Sequence, residues 1–145
     1  MFKKSLENSF YKFCEEKKFE KNSNQLKIIN SLNSFINYKN NLFDLFRTSK
    51  KKLCFYLYGD VGVGKTMVLD FFYNSLDISK KRMHFNEFMI YFHDYRHSKK
   101  ENSKESLISS FVQELKKNEL IYLDEFQVTN IVDAMILGRL FDNIF

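Results

Sequence analysis

The chain has 145 residues and is 44% hydrophobic, the size and composition of one ordinary domain with its own core. It carries a formal charge of +5, yet only Arg47, Arg82, Arg96 and Arg139 among its 23 basic residues are arginine, proline is absent, and Ala134 is the single alanine. That bias is the mark of an A+T-rich genome, so the lysine excess does not by itself specify a nucleic-acid or membrane surface; the two cysteines, Cys14 and Cys54, exclude a disulfide framework and form no metal spacing.

The first predicted element is a helix over residues 2–19, with Phe2, Leu6, Phe10, Phe13 and Tyr11 toward one face. This segment has no signal-peptide apolar region, and Glu7, Glu15 and Glu16 count against a mitochondrial transit peptide. No apolar run approaches membrane-spanning length, and the cysteine usage points to a reducing, intracellular setting. "KNSN" at 21–24 breaks the pattern, and a second helix is expected over 25–46, where Leu26, Ile29, Leu32, Phe35 and Ile36 recur at helical steps. Residues 53–58, "LCFYLY", end at a glycine and read as a strand buried on both faces, with Cys54 a small buried hydrophobe. A helix should open inside 59–66 and run to about Leu76. Then follow a weaker strand "RMHF" at 82–85, a helix from Glu87 to about His97, and a polar loop at 98–106. An amphipathic helix "LISSFVQELKKN", a strand "LIYLDE" at 120–125 and an apolar helix over 130–145 complete the series. Strands alternating with helices predict an α/β fold with a parallel sheet.

"LYGDVGVGKTM" at 57–67 holds a complete phosphate-loop pattern, with Gly59, Gly64, Lys65 and Thr66 at the required spacing and Asp60, Val61, Gly62 and Val63 between them. A backbone wrapped around phosphates needs positive φ angles, which glycine supplies, and the helix that follows adds its positive end. Lys65 is placed to reach the β- and γ-phosphates of ATP, and the Thr66 hydroxyl to ligate Mg²⁺. Because the motif follows an expected strand and opens an expected helix, a chance match in a turn is disfavoured. "LIYLDE" supplies the second half, its Asp124 and Glu125 emerging at the strand's carboxyl end, where open α/β sheets bind ligands. Asp124 is expected to hold Mg²⁺ and Glu125 to polarise the water that attacks the γ-phosphate. Alone, two solvated acids capping a strand would be the better account.

"YLYGDVGVGKTMVLDFFY", "KRMHFNEFM" and "LIYLDEFQVTNIVDAMILGRLF" resemble the ZapE family of AAA+ ATPases, a bacterial cell-division ATPase and its mitochondrial relatives. The matching blocks cover roughly residues 53–92 and 120–145; the N-terminal part matches loosely, around Gln25. The resemblance implies a P-loop NTPase fold of AAA+ type, Mg²⁺-dependent ATP hydrolysis, and a division-machinery or membrane-associated protein partner. It also implies a homo-oligomer in the full-length form and a cytoplasmic location, with a mitochondrial one as the alternative. Residues 1–50 would be a helical segment leading into the ATPase and 51–145 the nucleotide-binding core. Asn130 stands where the family has an acidic residue and Val63 where it has arginine. Family members run well past Phe145, so the core is expected to be C-terminally incomplete. The strand that lies between "LIYLDE" and the phosphate-loop strand would come later, and these 145 residues alone are expected to turn over little ATP.

Other signals are weaker. "HDYRH" at 93–97 approaches a zinc-protease pattern, with His93 and His97 on one helical face, but Asp94 replaces the glutamate and His84 is the only other histidine. The lysine clusters at 50–52 and 80–82, and Lys99 with Lys100, read as solvated faces. The alternatives to an ATPase are a nucleotide-binding fragment without turnover and an AAA+ nucleic-acid loader.

Overall fold

Apolar side chains at three- and four-residue spacing organise the N-terminal part of the chain. The computed structural model describes residues 2–20, 22–37, 54–99 and 104–145. Two compact units divide it, Met1–Leu76 and Asp77–Phe145.

The first unit contains α1 (Phe2–Lys17), α2 (Ser23–Asn37) and α3 (Lys65–Asn74). Phe10 and Cys14 of α1, Ile29 and Leu32 of α2, and Val68 and Phe72 of α3 are buried together in one core. Each pair is three or four positions apart, so each helix shows one face to the others. The Phe71 ring binds α3 to α1, with its centroid 5.0 Å from that of Phe10 and 5.1 Å from that of Phe13. α1 stops where Lys18 turns into the left-handed region at φ 56° and the Phe19 N–H closes back on the Cys14 carbonyl at 2.8 Å. α2 starts where Asn22 Oδ1 accepts from the Asn24 N–H at 2.8 Å, which satisfies a donor the helix cannot. The expected continuation of this helix over 38–46 lies outside the described residues.

The strand expected at 53–58 is not found: Leu53 lies outside the described residues, and 54–58 join no sheet. Apolar composition makes a segment fit for a strand, but a strand exists only by pairing, and no described residue supplies the partner. Tyr56 and Tyr58 are accordingly 65% and 80% exposed, and only Phe55 packs on the core, its ring 6.0 Å from that of Phe35. Cys54 is exposed rather than buried, and Cys14 is the cysteine in the core.

The second unit contains β1 (Lys80–His84), α4 (Phe85–Ser98), α5 (Lys104–Leu115), β2 (Leu120–Asp124) and α6 (Ile131–Ile144). The parallel sheet among the described residues has two strands, β1 and β2, in a register that sets Lys80 opposite Leu120 and His84 opposite Asp124. Phe85, Phe88, Met89 and Phe92 of α4 form one buried stripe. They meet Leu107, Ile108, Phe111, Val112 and Leu115 of α5, with Leu137 and Leu140 of α6 and Met83 of β1. Phe111 sits at the centre, fully buried, with the rings of Phe88, Tyr91, Phe92 and Tyr95 at 5.9, 5.3, 5.0 and 5.1 Å. Asn130 caps α6 by accepting from the Val132 N–H at 2.8 Å, a role that the acidic residue expected there would also fill.

Candidate functional site

Gly59–Thr66 belong to the first unit and Asp124 and Glu125 to the second. Residues 59–64 form a loop that ends in the first turn of α3, with Gly59, Gly62 and Gly64 at φ 147°, 85° and 82°. Only glycine takes these angles without strain, so the sequence dictates the loop's course. Gly64 is the N-cap of α3, and its carbonyl accepts the first helical bond from the Val68 N–H at 3.1 Å. The N–H groups of Lys65, Thr66 and Met67 therefore lie outside the helical ladder, the donors an anion takes at a helix start.

Lys65 Nζ donates to the carbonyl of Gly59 at 2.8 Å and to that of Asp60. The ammonium thus spans the loop's own backbone, and it can exchange these acceptors for phosphate oxygens. Asp60, Val61, Val63 and Thr66 are exposed. Gln25, near the start of α2, reaches across and donates from Nε2 to the Val63 carbonyl at 3.3 Å. Its Oε1 is buried. Nothing in the residue pattern marks this tether beyond a loose match around Gln25.

At the end of β2, Asp124 is held on both oxygens. Arg82 Nη2 donates to Oδ2 at 2.7 Å, and the Glu125 N–H donates to Oδ1 at 3.1 Å. Partial burial pushes the Asp124 carboxyl up, but the Arg82 and Glu125 hydrogen bonds and the charges of Arg82 and His84 outweigh it and hold it below the ordinary value. Arg82 is further fixed by the Tyr122 ring, 4.9 Å below its guanidinium carbon. Parallel pairing explains the contact, since Arg82 lies opposite Tyr122 and so one pleat before Asp124 on the same face. The basic run at 80–82 predicts a solvated face for Arg82; strand register, which one sequence does not display, sets it beside Asp124 instead. Glu125 turns into the left-handed region at φ 50° and leaves its side chain 78% exposed, with Oε2 3.9 Å from His84 Nδ1. His84 caps α4, where Glu87 Oε2 accepts from its N–H at 3.0 Å.

The Thr66 hydroxyl and the Asp124 carboxylate, each in its own unit, are hard oxygen donors of the kind Mg²⁺ prefers over softer metals. The zinc reading of "HDYRH" finds no support among the described residues, where no group of three ligating side chains occurs. His93 Nε2 instead faces Asp133 Oδ1 of α6 at 3.8 Å. Nor is any described helix long and apolar enough to cross a membrane.

Comparison with known proteins gives one family match: the model of the AFG1-like ATPases covers residues 11–145. Among curated proteins, Lactation elevated protein 1 homolog B of Danio rerio is 39% identical over 102 residues, covering 63% of this chain and 20% of its own length. The cell division protein ZapE of Escherichia coli is 37% identical over 93 residues, covering 62% of this chain and 24% of its own length. An uncharacterized protein of Schizosaccharomyces pombe is 36% identical over 95 residues, covering 60% and 20%. The chain therefore spans between a fifth and a quarter of the length of these relatives. No solved structure gives a significant match.

Proposed function

The chain belongs to the AFG1-like ATPase family, and from that premise we propose that it binds ATP at Gly59–Thr66 and takes part in its Mg²⁺-dependent hydrolysis. One observation supports the reading above the others: the loop carries three glycines at positive φ into the start of α3, with Lys65 at its mouth. A turn matching the pattern by chance has no need of all three.

In this reading Lys65 leaves the carbonyls of Gly59 and Asp60 for the β- and γ-phosphates, and the first N–H groups of α3 hold phosphate oxygens. Thr66 and Asp124 are the ligands for Mg²⁺, which when bound neutralises charge on the phosphate oxygens. Glu125, exposed on its turn, orients and polarises the attacking water. A division-linked role is extended to this chain from its likeness to the cell division protein ZapE of Escherichia coli, and a protein partner and a homo-oligomer from the family resemblance.

The test is titration with a fluorescent ATP analogue. Lys65→Ala should abolish binding, and Glu125→Gln, in a full-length context, should bind normally but release no phosphate. Unchanged affinity in Lys65→Ala refutes the loop assignment. Normal turnover in Glu125→Gln removes the carboxylate from the chemistry. Binding without phosphate release in the unsubstituted chain would favour a nucleotide-binding role alone.

A further inference from the structure

We infer that Arg82 is a positioning residue that occupies Asp124 and must yield it before a divalent metal can bind there. The inference rests on the reading of Asp124 as a metal ligand. Three observations carry it. Arg82 Nη2 lies 2.7 Å from Asp124 Oδ2, a charge-assisted contact at the short end of its range. The other carboxylate oxygen is taken by the Glu125 N–H, so both oxygens are engaged. The guanidinium is not a wandering surface charge: the Tyr122 ring backs it, and the register of β1 on β2 fixes the strand it stands on. The Asp124 side chain is 16% exposed and that of Arg82 35%, so solvent screens the pair only in part.

A cation already on a carboxylate competes with a second one. Arg82 therefore raises the metal concentration the site needs, and it keeps Asp124 compensated and oriented while no metal is present. Once displaced, the guanidinium is released beside the strand end that carries Glu125.

The experiment uses the full chain with a non-hydrolysable ATP analogue, and Mn²⁺ is titrated while free Mn²⁺ is followed by electron paramagnetic resonance. Arg82→Gln, which keeps a donor but loses the charge, should tighten Mn²⁺ binding by about two- to fivefold. Nucleotide affinity in EDTA should not change. Arg82→Lys, which keeps the charge without the planar fork, should fall between. A second readout needs no nucleotide: the Arg82 side-chain ¹⁵N resonance should move in Asp124→Asn as it does on metal addition to the unsubstituted chain. Circular dichroism establishes that each variant is folded.

Weaker Mn²⁺ binding in Arg82→Gln would overturn the inference, making Arg82 an orienting group with no competing role. Weaker nucleotide binding in EDTA would also overturn it, by placing the guanidinium on phosphate. If Asp124→Asn leaves Mn²⁺ affinity unchanged, the metal-ligand reading itself fails and takes the inference with it. If Asp124→Asn weakens Mn²⁺ while Arg82→Gln changes nothing, that reading stands and the inference alone falls.

Discussion

Alanine at Gly64 would put a methyl group 2.7 Å from Gln25 Nε2 and 3.6 Å from Met67 Cε, on a backbone at φ 82°. The amide end of Gln25 can swing aside, so the clash itself is cheap. Its consequence is loss of the 3.3 Å bond to the Val63 carbonyl, a net about 0.5–1.5 kcal/mol. The left-handed backbone adds about 1–2 kcal/mol for any residue with a Cβ. Gly64→Ala should therefore cost about 1.5–3.5 kcal/mol, a sizeable part of a typical domain stability of about 5–15 kcal/mol. Gly62 is the control. Its φ is 85° and nothing lies within 4 Å of a Cβ there, so Gly62→Ala carries the backbone cost alone. Urea unfolding should show Gly64→Ala to be the more damaging by about 1 kcal/mol. In a double-mutant cycle with Gln25→Ala that excess should vanish, because the tether is already gone. Equal losses at the two glycines, or strict additivity with Gln25→Ala, would refute the account of Gln25 as the neighbour that matters.

Other outcomes follow from single contacts. Asn130→Ala should destabilise α6 by about 1 kcal/mol in chemical denaturation, whereas Asn130→Asp should be close to neutral, since either oxygen can accept from the Val132 N–H. Phe111→Ala removes the ring at the centre of the second unit's core and should cost about 3–5 kcal/mol, read as loss of the cooperative melting transition. The Asp124 carboxyl is held below its ordinary value of 3.8, so the stability it lends is present above that value and is lost as pH falls through the lower folded one. Acid unfolding should therefore steepen below about pH 4, and Arg82→Gln should flatten that part of the curve.

Helices were legible wherever an apolar stripe could be counted. The pattern predicts a helix from Glu87 to His97 and the structure has Phe85–Ser98; it predicts 130–145 and the structure has Ile131–Ile144. The residual error lies at the ends, where caps such as His84 decide and periodicity is silent. Strands were legible only as candidates. "LIYLDE" and "LCFYLY" have the same character, yet the first pairs with β1 and the second pairs with no described residue, because pairing is a property of two segments and composition of one. The course of the 59–64 loop into α3 was legible because its glycines encode backbone angles directly. Gln25 and Arg82 were not. Each acts through a tertiary neighbour, Val63 and Asp124, whose proximity comes from helix packing and strand register.

The parallel pairing of β1 with β2 also sets an order of events in time. Lys80 meets Leu120 across a connection that contains all of α4 and α5, whereas α1 ends at Lys17 and α2 begins at Ser23. Closing the longer connection carries an entropy cost that rises with the logarithm of its length, and pairings distant in sequence slow folding. On the ribosome the delay is explicit. β1 emerges about forty residues ahead of its partner, or roughly two to eight seconds at synthesis rates of about 5–20 residues per second. Through that interval its backbone donors have no partner strand among the described residues, while α4 and then α5 become available to pack around Phe111. α4 and α5 should thus pack together first, and β2 should zip onto β1 along a surface they have prepared.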